Sequence, residues 1–335
     1  MRINLLDRAK MIITGLLMLA LSGPGMAGVY KCVDAKQRTF YQDKPCQEMT
    51  AARLPNSLSK ISGEEESRAF FWKASNDKGS LYLLGSLHFG APSLFPLPQL
   101  VNNAFNHADV LVVEADINNQ AGKEMALGMA GKGRYADNSK LEDHIKKVTW
   151  NKTVELANQL GLDEESLHPL KPWLAALALT AQSLQKEGFN PELGIDKTLL
   201  QQAQGKKPVM ELESVEDQIN LFDQFSDQEQ EQMLLFTLQE LTHGRELHQS
   251  IVNAWKKGDA EAMDLIVRQS FDSSPLGAHL MKVFLIDRNE RMANSLQNMA
   301  KDGRTYFAVI GAGHLGGEKG ILKLLEQKGF TITQP

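Results

Sequence analysis

The sequence predicts an α/β fold: a central mixed sheet with flanking helices and a large helical insertion, preceded by a small N-terminal β-hairpin module. Three observations predict it. Short apolar runs of strand length alternate with helix-spaced segments at both ends of the main domain. The middle of the chain, from about Gly122 to Leu193 and again from Ser214 to Lys301, reads as successive amphipathic helices. A length of 335 residues, 42% hydrophobic and 23% charged, suits one large globular domain plus a small module.

Residues 1–27 have the pattern of a secretory signal peptide. Arg2, Arg8 and Lys10 precede the apolar run Met11–Leu21, and Gly25 and Ala27 stand three and one before a cut expected after Ala27. The apolar run is short for a bilayer span, so the expected location is periplasmic or secreted. Removing three basic groups and one acidic group with this segment takes the formal charge from -5 to -7. With no block of basic residues, nucleic acid is not an expected partner.

Residues 28–50 are read as the hairpin module. Val29–Val33 and Arg38–Tyr41 are β-like runs around a polar turn. Cys32 and Cys46, the two cysteines of the chain, read as a disulfide in an exported protein. A bond closing such a loop stabilises a marginal hairpin by about 3 kcal/mol. The pattern V-Y-K-C-V-D, then Y-x-D-x-P-C, resembles a small module found on many exported bacterial proteins. The expected partner for it is a component of the cell envelope. Residues 51–66 read as a polar linker.

The main domain is expected over 67–335. "AFFWKAS" and "SLYLLGSLH" form two strands around an "NDKG" turn. "LPQLVNNAFNHA" has helical spacing, and "DVLVVEA" is a buried strand. A helix beginning near Gly194 leads to the short strand "KKPVMELE". Ser214 and Asp217 make a capping box for the next helix. "RTYFAVIG" is a strand, followed by a helix and a last strand, "FTIT".

The turn after that strand, Gly311–Gly316, reads G-A-G-H-L-G and fits the dinucleotide fingerprint. Such a site also needs a second strand ending in an acid about 20 residues on. "FTITQP" supplies none, so no nucleotide cofactor is expected. A different repeat stands out. Gly85-x-x-His88 and Gly311-x-x-His314 each follow an apolar strand. The glycine is read as the place where the backbone bends, presenting histidine at the strand's carboxyl end, where ligands of open α/β sheets bind. Glu114 closes "DVLVVE" in the same position on a third strand. Two imidazoles and a carboxylate are a ligand set for a divalent ion such as zinc, manganese or cobalt, with positions left open for an activated water.

The main domain, roughly Phe70 to Ile332, resembles the TraB/GumN family, which includes the Tiki metalloproteases. The resemblance is carried by the two G-x-x-H motifs, "VVVEAD" around Glu114, "GIDKTLLQQAQGKKPVMELES", and "DRNERMA" with Arg288, Asn289 and Met292. It places His88, Glu114, Arg288 and His314 in the family's functional positions. His88, Glu114 and His314 are expected as metal ligands or as acid/base groups beside a metal. Arg288 is expected to hold a carboxylate or to stabilise oxyanion charge, with Arg291 one turn along as an alternative. Glu213, closing another strand, either adds a ligand or orients a histidine, and Asp196 stands in the same tier.

The function these expectations combine into is an exported metal-dependent hydrolase acting on peptide (amide) or small ester bonds. The alternative is a non-catalytic peptide-binding or sequestering protein on the same fold. No G-x-S-x-G elbow is present, and the cysteines are assigned to a bond, which disfavours serine and thiol nucleophiles. His243 and His248 do not form H-E-x-x-H and read as exposed helix residues. Trp72, Trp150, Trp173 and Trp255 are scattered and read as core.

Overall fold

The computed structural model describes residues 68–335, apart from Asn118, Thr242, His243, Ser273 and the side chains of 119–121, together with three short N-terminal strand backbones. Those strands are β1 (Tyr30–Val33), β2 (Thr39–Gln42) and β3 (Ala52–Arg53), in the order β2-β1-β3 with antiparallel pairing. The third falls inside the stretch read as linker. The signal segment and the expected Cys32–Cys46 bond lie outside the described residues. Among the described residues, no helix is long and apolar enough to cross a membrane.

The main sheet has six strands: β4 (Phe71–Asn76), β5 (Gly79–Ser86), β6 (Val110–Val113), β7 (Val209–Glu211), β8 (Thr305–Gly311) and β9 (Thr331–Thr333). β4 and β5 form the expected hairpin. Asn76 Oδ1 accepts from the backbone N–H of Lys78 at 2.9 Å and of Gly79 at 3.2 Å, which closes the two-residue turn. The spatial order is β7-β6-β8-β5-β4-β9. β7, β6, β8 and β5 are mutually parallel, whereas β4 and β9 are antiparallel additions at one edge. All four residues of β6, and all but the first of β8, are buried, as expected for parallel strands covered on both faces.

β8 comes last of the four parallel strands, yet it lies between β5 and β6. It pairs Ser86 with Gly311 on one side and Val113 with Val309 on the other. Four strand ends that are distant in sequence therefore meet on one rim. The segment after β8 also departs from a dinucleotide unit. The helix Ile321–Gln327 starts well beyond the glycine turn, and β9 joins the far edge beside β4 rather than pairing next to β8.

Two apolar cores flank that rim. One surrounds the sheet and includes Trp72, Phe307 and Trp255. The other lies within the helical insertion, around Trp150, Trp173, Phe222 and Phe284. All four tryptophans are buried, as the sequence predicted. The capping box is present: Ser214 Oγ accepts from the Asp217 N–H at 3.0 Å, while Asp217 Oδ2 accepts from the Ser214 N–H at 3.0 Å. His248 is a correction. It lies 4% exposed on the Gly244–Lys257 helix, with Nδ1 2.7 Å from Glu187 Oε2. Its place four residues before Val252 and seven before Trp255 puts it on the helix's apolar stripe.

Candidate functional site

The parallel strands deliver one polar side chain each to the shared rim. Glu213 follows β7, Glu114 follows β6, His314 follows β8 and His88 follows β5. The order along the rim is therefore Glu213, Glu114, His314, His88. The β6–β7 ladder continues past the strand ends, since the Glu213 N–H donates to the Glu114 carbonyl at 2.9 Å. That bond sets the two acids side by side. Both histidines and both glutamates are buried.

Arg288 joins three of these groups. It sits in the first turn of the helix Asp287–Met299, directly after a π-helical turn at Lys282–Ile286, and it is 0% exposed. Nε donates to Glu213 Oε1 at 2.8 Å, and Nη2 donates to Glu213 Oε2 and to Glu114 Oε2, the latter at 2.7 Å. Nη1 donates to the Phe284 carbonyl and to His314 Nε2, both at 3.0 Å. Every N–H of the guanidinium thus has an acceptor. Burial works against its charge, but Glu114 and Glu213 outweigh that and raise its pKa.

His314 is held neutral. Burial first, and then the neighbouring Arg288 charge, push its pKa well below the ordinary histidine value. Nδ1–H donates to Asn289 Oδ1, which leaves Nε2 as the acceptor from Arg288. Asn289 is in turn fixed by donating to the Lys319 carbonyl at 2.8 Å.

His88 has a different environment. Its Nδ1 lies 3.2 Å from Asp196 Oδ2, close enough for an ion pair though off the line of a hydrogen bond. Asp196 stands in the first turn of the helix Ile195–Ala203 and accepts from Ser86 Oγ at 2.8 Å. The Ile195 N–H donates to the Leu87 carbonyl at 3.1 Å, so this helix start is tied to the histidine's own segment. Burial disfavours a charged His88, but Asp196 more than offsets that and Glu114 adds to it, so its pKa is raised. Asp196 is the complementary case. Burial opposes its charge, yet His88 and Ser86 leave its pKa lowered. His88 Nε2 is buried without a hydrogen-bond partner. It borders a small cavity lined also by Glu114, Asp196, Gln218 and Val309.

Residues 70–334 match the TraB/PrgY/gumN family over most of the chain. The chain belongs to the TraB/PrgY/gumN family. Residues 16–57 match a second family, the Domain of unknown function (DUF4124). Among curated relatives, "Uncharacterized protein YbaP" of Escherichia coli (strain K12) is 29% identical over 248 residues, covering 73% of this chain and 87% of that protein. An "Uncharacterized protein" of Treponema pallidum (strain Nichols) is 24% identical over 199 residues, 58% of this chain and 56% of that protein. No solved structure matches the chain.

The two G-x-x-H motifs of this TraB/PrgY/gumN chain owe their glycines to packing, which corrects the expectation of a sharp bend. Neither Gly85 nor Gly311 has a positive φ. A Cβ on Gly85 would lie 2.4 Å from Phe70 Cδ1 and 2.9 Å from Ala312 Cβ. A Cβ on Gly311 would enter the site itself, 3.1 Å from Glu114 Oε1, 3.4 Å from His314 Cδ2 and 3.5 Å from His88 Nε2. The Gly311 N–H also donates to Glu114 Oε1 at 2.6 Å.

The structure thus brings together six of the candidates the sequence singled out: His88, Glu114, Asp196, Glu213, Arg288 and His314. It also adds residues that sequence reasoning did not place in the site. Ser86 holds Asp196, Asn289 sets the His314 ring, and Gln218 borders the cavity. Arg291 reaches within 3.7 Å of Glu213 from an exposed position.

The expected ligand set of His88, Glu114 and His314 does not fit a divalent ion in this arrangement. Both nitrogens of His314 are engaged, and both oxygens of Glu114 accept N–H donors. His314 turns a carbon edge, Cδ2, toward the point where His88 Nε2 and Glu114 Oε1 converge. Of the three, His88 alone offers a free lone-pair position. Among the described residues, no group of three His, Cys, Asp or Glu side chains is arranged to hold a metal.

Proposed function

We propose that this chain is an exported hydrolase of amide or ester bonds, with a peptide as the first substrate class, and that His88 moves the proton. The observation carrying this reading is His88, a residue of the cavity wall whose Nε2 is buried without a partner while the Asp196 carboxylate lies 3.2 Å from Nδ1. A histidine oriented on one nitrogen by a carboxylate and free on the other is equipped for general acid–base work. Export rests on the charged, apolar and small-residue pattern of residues 1–27.

In this reading a water molecule in the cavity attacks the scissile carbonyl carbon. As the new C–O bond forms, neutral His88 takes a proton from the water on Nε2, and Asp196 stabilises the resulting imidazolium. The same proton then passes to the leaving nitrogen or oxygen as its bond to the carbonyl carbon breaks. Gln218 also lines the cavity, with Nε2 donating to Glu213 Oε2 at 3.5 Å, and its amide is the neutral donor group nearest to hand for the charge developing on the carbonyl oxygen. Arg288 is a positioning residue here. All its donors are already engaged, so its work is to hold Glu114, Glu213 and His314 in register.

Screening the mature chain against peptide and ester libraries tests the reading. Cleavage by the wild type, reduced about 10²- to 10⁴-fold in His88→Asn, supports it. Saturable peptide binding with no cleavage would establish the sequestering alternative instead.

A further inference from the structure

The geometry points to Arg288 as the resident cation of this site, a guanidinium standing where strand-end acids and an imidazole would otherwise hold a divalent ion, so that the centre takes up no metal. The inference deepens the hydrolase reading and rests on it only in its activity arm.

Three groups from three adjacent strand ends turn their acceptors on this one side chain. Glu213 presents both oxygens, Glu114 presents Oε2, and His314 presents Nε2. These are the atoms that divalent ions take from proteins. The His314 tautomer sharpens the point. Asn289 accepts from Nδ1 and so leaves the Nε2 lone pair exposed inward, which is the form a metal-bound histidine adopts. Here that lone pair accepts from Nη1 instead.

The guanidinium is also built in. The Phe284 carbonyl, inside the π-helical turn that precedes Arg288, accepts from Nη1 at 3.0 Å and closes the last of its donor positions. Swinging the side chain out would strand two buried carboxylates and leave the His314 Nε2 and Phe284 carbonyl acceptors unpaired, a costly change. A metal held by these same atoms would sit about 2.0–2.2 Å from each of them. The guanidinium fills that space, so the two occupants exclude each other. Arginine supplies charge that neither titrates in the working pH range nor dissociates.

The test is metal content of untagged, refolding-free mature protein after dialysis, together with zinc, manganese and cobalt titrations of the wild type, Arg288→Ala and Arg288→Met. The wild type is expected to hold sub-stoichiometric metal, to keep its melting temperature in chelator, and to keep any cleavage activity there. The Arg288 variants, with Glu114, Glu213 and His314 released, are expected to take up one equivalent of zinc and to melt higher in its presence. One tightly held metal ion per wild-type chain, lost in His314→Ala, overturns the inference. So does a folded Arg288 variant that takes up no zinc. If neither variant folds, the wild-type arms decide alone. A metal-free wild type that cleaves nothing removes the hydrolase reading and leaves this inference standing, whereas a metal-loaded wild type that cleaves does the reverse.

Discussion

Adding one methyl group at Gly311 should cut turnover about 10²-fold while leaving the fold nearly intact. The backbone there has φ -47° and ψ 130°, which any L residue adopts without strain. The new Cβ would meet Glu114 Oε1 at 3.1 Å, His314 Cδ2 at 3.4 Å and His88 Nε2 at 3.5 Å. Only the first contact is tight, and a shift of a few tenths of an ångström relieves it. Overpacking of this kind costs about 1–3 kcal/mol. Against it stands a gain of about 0.4–1 kcal/mol from a less flexible unfolded chain. The net loss should be about 1–2 kcal/mol, a fall in melting temperature of about 2–8 °C for a domain of this size. Catalysis has no such margin. The methyl would occupy the space between His88 Nε2 and Glu114 where water and the carbonyl must meet, and a displacement of about 1 Å at the reacting atoms costs about 10²-fold. The assay is kcat/KM on the best library peptide beside a thermal melt, for Gly311→Ala and for Gly85→Ala. The second variant should lose stability first, because its Cβ would lie 2.4 Å from a ring carbon of Phe70. A Gly311→Ala enzyme with turnover within about threefold of the wild type would refute the idea that chemistry happens at this face.

Asp196→Asn should move the pH profile as well as the rate. Asp196 is what raises the His88 pKa against burial, so its removal should shift the acidic limb of kcat/KM to lower pH, and an unshifted limb would assign the base elsewhere. Glu213→Gln should destabilise the chain by about 3–5 kcal/mol in denaturant unfolding, because it weakens one side of a buried charge cluster. Acid should weaken the fold through His314. Its folded pKa is depressed, so its contribution is complete above the unfolded value of about 6.5 and is lost as pH falls below it, by up to about 1.4 kcal/mol per unit. His88, with a raised pKa, acts in the opposite direction, adding stability at low pH that fades as pH rises through its folded value. Unfolding free energies at pH 7.5 and 5.5 for the wild type and His314→Gln check the first effect, which should shrink in the variant.

The strand ends were legible because buried parallel strands read as unbroken apolar runs, and the residue closing each run marks the rim. Spatial order was not legible. Nothing in "RTYFAVIG" says that it will enter between β5 and β6, and that insertion is what sets His314 beside both Glu114 and His88. Arg288 was found through family likeness, but its role as the hub needed coordinates, because five donors on a long side chain can serve many partners. Asn289 carries a signal in the sequence. It shares an apolar stripe with Met292, Ala293 and Leu296, and a polar residue on such a stripe needs a buried partner. His248 left the same kind of signal. The cause of the motif glycines is not legible in sequence, since a turn and a crowded contact demand the same residue and only geometry separates them.

The late arrival of β8 has a consequence for biogenesis. Until Thr305–Gly311 has been synthesised and has zipped into place, β5 and β6 lack their common neighbour, and His88 and Glu114 belong to separate fragments. A nascent or truncated chain therefore has not assembled the His88–Glu114–His314 cluster. Under the proposed export and hydrolysis, a chain threaded outward in extended form would gain competence only after the last parallel strand is delivered, away from the compartment where it is made.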